Sequence, residues 1–100
     1  MININEDEKD KYRVTWSNKF KKDYKLSMKR GLPIEELDAV IKILKKGDPL
    51  PENYNDHELV GNWKNHRECH IRPDWLLIYQ IKDDILVLEL TRTGSHSDLF

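Results

Sequence analysis

The chain is 100 residues long, carries a net formal charge of −1 and is 35% charged, which makes it one soluble domain with one modest core. No apolar run approaches the ~20 residues of a membrane-spanning helix, and the acidic start, Met1 to Glu8, lacks the apolar segment of a secretory signal. The lone Cys69 excludes an internal disulfide framework, and the cytoplasm is the expected compartment.

Residues 1–10 read as a flexible acidic leader, with one domain over 11–100. Tyr12 to Trp16 is β-branched and aromatic and reads as a strand. Ser17 suits a helix N-cap. The following segment, Asn18 to Arg30, reads as a helix with Phe20, Tyr24 and Met28 on its apolar face. Lys22, Lys25 and Lys29 fall opposite, Leu26 interrupts the pattern, and Gly31 can supply the left-handed residue that ends the helix.

A second helix is expected from Pro33. Glu35 and Glu36 complement its start, and Lys45 and Lys46 its end. Ile34, Leu37, Val40, Ile41 and Leu44 make its apolar stripe, and Gly47-Asp48-Pro49 stops it. The second half is strand-like. Trp75 to Ile81 and Ile85 to Leu90 form a hairpin turned by Lys82-Asp83-Asp84. His66 to Arg72 is weaker by propensity; if extended, Arg67, Cys69 and Ile71 point one way, and His66, Glu68, His70 and Arg72 the other. The expected class is α+β, with two helices packed on a sheet of about four to five strands.

Charge is distributed unevenly along the chain. Residues 1–10 carry a net −3, residues 11–46 a net +7 and residues 47–100 a net −5. A basic block beside a histidine-rich acidic block fits an RNA-handling surface next to a reaction site. Charge alone favours the blander reading of a solvated lysine-rich helix.

The chemistry-bearing residues lie in the second half. RNA is cut by its own 2′-hydroxyl when a base removes that proton, an acid protonates the leaving 5′-oxygen and a cation stabilises the charge on phosphorus. Histidine can serve either proton role near neutral pH, and arginine matches phosphate oxygens in a fork. An aromatic ring can stack on a base. His57, His70, Asp74, Arg92, His96, Trp75 and Phe100 together cover these roles. Taken singly, each histidine reads as a surface or structural residue and Trp75 as core.

A metal site is the rival chemistry, because His66, Cys69, His70 and Asp74 are close in sequence. In a strand, His66 and His70 lie roughly 13 Å apart, whereas Zn–N bonds are only ~2 Å long. Cys69 would face away from both. If the segment were helical, His66 and His70 could share a metal. A Cys69 nucleophile fails for the same facing reason. There is no glycine-rich phosphate loop and no Gly-x-Ser-x-Gly elbow around Ser95 or Ser97.

The span from Asp56 to Phe100 closely resembles the YafQ branch of the RelE-type bacterial toxins. The matching residues are Asp56-His57, Leu59, Gly61, Trp63-Lys64, Arg67, His70, Pro73-Asp74-Trp75, Leu77-Ile78-Tyr79, Arg92-Thr93-Gly94, His96 and Leu99-Phe100. The first half fits as a lysine-rich helix, an apolar helix, then Pro49-Leu50-Pro51 and Tyr54, so the resemblance covers roughly residues 12–100.

The resemblance implies a helical hairpin on a mostly antiparallel sheet. It implies the toxin of a type II toxin–antitoxin module that cuts mRNA in the ribosomal A site without a metal or other cofactor. It also implies a cognate antitoxin that blocks the toxin and through which alone the toxin reaches operator DNA. The family's functional positions fall on His57, His70, Asp74, Trp75, His96 and Phe100, with Arg92 on a phosphate. The roles expected are Asp74 or His70 as base, His96 as acid, His57 and Arg92 as charge stabilisers, and Trp75 and Phe100 as mRNA contacts. Ribosome binding is expected to rest on Lys19, Lys21, Lys22, Lys25, Lys29 and Arg30. The alternative is a non-enzymatic protein on the same fold, either a gyrase-type inhibitor or an antitoxin-binding corepressor.

Overall fold

The structure, a computed structural model, describes residues 9–100. Strand β1 (Arg13–Trp16) leads into helix α1 (Asn18–Lys29) and helix α2 (Ile34–Lys45). Strands β2 (His57–Glu58), β3 (Arg67–Arg72), β4 (Trp75–Lys82) and β5 (Val87–Gly94) follow, and the short helix α3 (His96–Leu99) ends the fold. Two single turns of 3₁₀ helix, Glu52–Tyr54 and Gly61–Trp63, flank β2. The five strands form one sheet in the order β1-β5-β4-β3-β2. β1 runs parallel to β5, and every other pairing is antiparallel.

The local causes are legible. Ser17 caps α1 by accepting from the Phe20 N–H at 2.9 Å, while its own hydroxyl donates to the Thr91 carbonyl at 2.7 Å. The start of α1 is therefore pinned to β5. Gly31, at φ 75°, turns the chain out of α1 as expected. Helix α2 has no side-chain cap, and Glu35 and Glu36 complement its N-terminus instead. Phe20, Tyr24, Leu37, Val40, Ile41 and Leu44 pack on the sheet against Cys69, Leu77, Tyr79, Leu88 and Leu90. Burial of that apolar surface is the main stabilising term. The buried Tyr24 hydroxyl is pushed up to about 12, first by burial and then by its hydrogen bond to Asp38.

Three expectations need correction. Met28 is 42% exposed rather than part of the α1 apolar face, and the small Ser27 takes the buried position. Its hydroxyl is satisfied by the Asp23 carbonyl one turn back. Ile85 and Leu86 are not in a strand. The turn of the hairpin extends over them, with Leu86 at φ 53° and Ile85 61% exposed. The alternation in β3 is as expected up to His70, after which a register shift between His70 and Arg72 bends the strand. The acidic leader lies, up to Glu8, outside the described residues. Asp10, however, is seated against Lys45 at 3.3 Å with both side chains 7% exposed, so the packed domain already includes it.

Candidate active site

The sheet face opposite the two long helices carries the histidines. The two-residue period of a strand sends Glu68 and His70 to this face and Cys69 and Ile71 to the helix side. In β4 the same rule sends Leu76 and Ile78 here, where they meet Leu99 in a second small cluster flanked by Leu59 and Trp63. The floor of the site is therefore apolar and its rim polar.

Three imidazoles stand in a row. The His57 and His70 ring centroids are 6.2 Å apart, and those of His70 and His96 5.9 Å. Phe100 continues the line 6.3 Å beyond His96, and Trp63 closes on Phe100 edge-on at 6.3 Å. His57 comes from β2, His70 from β3, and His96 and Phe100 from the C-terminal turn. Asp56 fixes the approach to His57: its carboxylate accepts from the Tyr79 hydroxyl at 2.6 Å and from Arg67 at 3.3 Å. Asn55, in the left-handed region at φ 49°, places its carbonyl 2.8 Å from His57 Nδ1.

Glu68 is the residue that sequence reasoning missed. Its side chain is 6% exposed, and its carboxylate lies between two rings, 3.6 Å from His57 Nε2 and 3.3 Å from His70 Nε2. His70 Nδ1 faces the Pro73 carbonyl at 3.2 Å. Both nitrogens of His57 and both of His70 thus face oxygen acceptors. Glu68 thus bridges the two rings from beneath. The signal was present in the sequence: Glu68 and His70 are two apart on a strand, so they share a face.

His96 is held differently. Asp74 Oδ1 accepts from His96 Nδ1 at 2.8 Å and from the His96 backbone N–H at 2.9 Å. These bonds, backbone first, hold the Asp74 carboxyl below its ordinary range. Among the described residues, His96 Nε2 is the one nitrogen of the three rings without a protein partner, on a side chain 55% exposed. An Asp-oriented imidazole with an exposed Nε2 has the geometry that general acid–base chemistry requires.

Two expected site residues are elsewhere. Trp75 is 2% exposed in the helix-side core, its indole N–H donating to Thr93 Oγ1 at 3.1 Å. It alternates in phase with Leu77 and Tyr79, so it cannot stack on a ligand at the histidine face; the aromatic partner of Phe100 is Trp63. Arg92 is engaged by Asp23 of α1 through both arms of its fork, at 2.7 and 3.1 Å. It ties β5 to α1 instead of standing open to a phosphate. Lys19, Lys21, Lys22, Lys25 and Lys29 are all exposed on α1, as is Arg30, which is paired with Asp98.

Cys69 is fully buried on the helix side, and burial pushes its thiol well above the ordinary range. It is placed as a core residue, not a nucleophile. His66 packs edge-on against Trp63 at 5.6 Å.

The architecture is that of a known class of small bacterial toxins. The crystal structure of the E. coli DinJ–YafQ toxin–antitoxin complex holds a chain 38% identical to this one, matching 90% of this chain and 98% of that one at a TM-score of 0.83. A metal-bound toxin from Helicobacter pylori is 45% identical, over 89% of this chain and 99% of that one, at a TM-score of 0.84. The mRNA interferase toxin YafQ of Escherichia coli K12 is 41% identical over 88 residues, which is 87% of this chain and 94% of that protein. The model of the YafQ family, bacterial toxins of type II toxin–antitoxin systems, matches residues 12–100, and the chain belongs to that family.

The metal of the H. pylori relative finds no ready ligand set here. Five of the six ring nitrogens of His57, His70 and His96 already face oxygen partners. Among the described residues, no group of three or more His, Cys, Asp or Glu side chains is arranged to hold a metal ion.

Proposed function

We propose that this chain is an mRNA interferase that cuts mRNA in the ribosomal A site by acid–base catalysis, without a metal. The observation that carries the reading is the row of three histidines ending at an exposed phenylalanine, with one ring nitrogen, His96 Nε2, pointing outward.

His96 is the proton carrier at the leaving 5′-oxygen. Asp74, which accepts twice from His96, orients that ring and stabilises its cation, and is not itself the base. His70 is the second proton carrier, taking the proton of the 2′-hydroxyl. His57 and Glu68 set the charge around it: Glu68 keeps the two rings in place, and His57 opposes the negative charge that develops on phosphorus. Phe100, 60% exposed, stacks on a base of the bound codon.

The exposed lysines of α1 attach the protein to ribosomal RNA, and a cognate antitoxin occupies the chain between uses, as DinJ occupies its partner in the E. coli complex. Operator DNA is reached only through that antitoxin. The family membership and the intact ring row favour the nuclease over a gyrase inhibitor or a corepressor that acts by binding alone.

The test is cleavage mapping with chelator-stripped protein on programmed ribosomes and on the same mRNA free in solution. Cuts at the A-site codon on ribosomes alone are expected. Cutting that returns only when a transition metal is added back would contradict the metal-free chemistry. No cutting by folded, ribosome-bound protein would move the function to binding.

A further inference from the structure

Helix α3 is four residues long, yet the turn it forms presents both His96 and Phe100. A helix that short has no stability of its own, because nucleation outweighs so few backbone bonds. Its geometry must come from anchors. Leu99 is one, 8% exposed against Leu76 and Ile78. Asp74 is another, accepting the His96 N–H.

Asp98 is the third and does most. It accepts from the Ser95 N–H at 2.9 Å while the Ser95 hydroxyl accepts from the Asp98 N–H at 3.1 Å, a reciprocal capping box. Its carboxylate also receives Arg30 through both arms of the guanidinium, at 2.7 and 3.4 Å. The Arg30 pairing, ahead of the Ser95 bonds, holds the Asp98 carboxyl down at about 2. Gly94 permits the close approach: a Cβ there would lie 3.0 Å from both Asp98 Cβ and Oδ2.

Arg30 stands at the rigid end of α1. It is the C-cap, its N–H donating to the Leu26 carbonyl at 3.0 Å, and Gly31 follows. A cavity of about 150 Å³ between α1 and β5 is lined by Asp23, Arg30, Arg92 and Asp98. Two arginine–aspartate pairs, Arg30–Asp98 and Arg92–Asp23, therefore close one seam between the lysine-rich helix and the catalytic end of the sheet.

We propose that Arg30 is a positioning residue for the reaction: through Asp98 it holds the C-terminal turn so that His96 Nε2 and Phe100 face the substrate. The inference rests on the nuclease reading above and gives Arg30 a role different from that of the exposed lysines beside it. Those act as point charges toward phosphate, whereas Arg30 needs its planar fork.

The test combines single-turnover cleavage on programmed ribosomes, over a range of ribosome concentration, with amide hydrogen exchange on the free protein. Arg30→Gln, Asp98→Asn and the double variant are compared. Asp98→Asn retains an oxygen for the Ser95 N–H, so the cap survives while the ion pair is lost. Each single change is expected to slow the saturating rate about tenfold. The double variant should be no slower than either single, because both remove one interaction. In Asp98→Asn the half-saturating ribosome concentration should not move, and the Leu99 and Phe100 amides should exchange faster in all three variants.

An unchanged saturating rate, losses that multiply in the double variant, or unchanged exchange would each overturn the proposal. Arg30→Lys guards against misfolding of the glutamine variant and should recover charge but not rate. If wild-type protein does not cut, the nuclease reading fails and the positioning role of Arg30 in the reaction with it. The exchange data then report separately whether the pair holds the turn.

Discussion

The two faces of the sheet are made by the same strands and obey opposite rules. On the helix side, Cys69, Trp75, Leu77, Tyr79, Leu88 and Leu90 are all buried in one large apolar cluster. On the other side, among the described residues, the buried cluster is Leu76, Ile78 and Leu99, and Glu68 and His70 share that face with it. A shift of one position along β3 or β4 exchanges stability for chemistry. On the closed face the polar atom of Trp75 has a partner, its indole N–H donating to Thr93 Oγ1. The open face uses ionisable groups in mutual contact, which is where proton-transfer chemistry is found.

The largest effect should come from the closed face. Trp75→Ala is expected to cost about 3–5 kcal/mol of stability, read by denaturant unfolding. A variant that stayed equally stable and lost only cleavage would place Trp75 in the site after all. Next is Glu68→Gln, which removes the charge shared by His57 and His70. Saturating cleavage should fall about tenfold through loss of ring placement and charge, with less change in the unfolding midpoint than Trp75→Ala produces. Equal activity would show that the two rings do not need Glu68.

A smaller, separable effect belongs to α1. Replacing Lys22 and Lys25 with glutamine should weaken ribosome binding and reduce the salt slope of affinity by about one per lysine, with the saturating rate intact. The smallest effect is in acid. The Asp98 carboxyl lies at about 2 in the folded protein, below the ~3.9 of an unfolded aspartate. Its contribution is therefore complete above the unfolded value and lost as pH falls through the folded one. Protection of the Leu99 and Phe100 amides should fall between about pH 4 and 2, and Asp98→Asn should reduce that pH dependence, leaving the part due to Asp74.

Much of this was legible before the structure. The stripe of Leu37, Val40, Ile41 and Leu44 and the cap at Ser17 define the helices by spacing and hydrogen-bond chemistry. The residues that form the ring row, His57, His70, His96 and Phe100, are recognisable by type. Their convergence is not, since His57 and His96 approach His70 from separate elements through tertiary packing.

Trp75 lies in the helix-side core because it alternates in phase with Leu77 and Tyr79, a placement that residue type alone does not give. The pairing of Arg92 with Asp23 was not legible because the two are 69 residues apart in sequence. Glu68 was overlooked because a carboxylate on a strand reads as solvent-facing until a second histidine, from another strand, is seen to close over it. Ile85 and Leu86 looked like strand by composition, but the turn needed a residue in the left-handed region, and Leu86 occupies it.

The most direct test of the central claim is His96→Ala, read by A-site cleavage on programmed ribosomes beside its unfolding curve. The account predicts a loss of about 10²-fold or more in saturating rate, with stability and ribosome affinity near those of the wild type. Cleavage at the wild-type rate by a folded His96→Ala protein would contradict it, and would mean that the outward Nε2 carries no proton in the reaction.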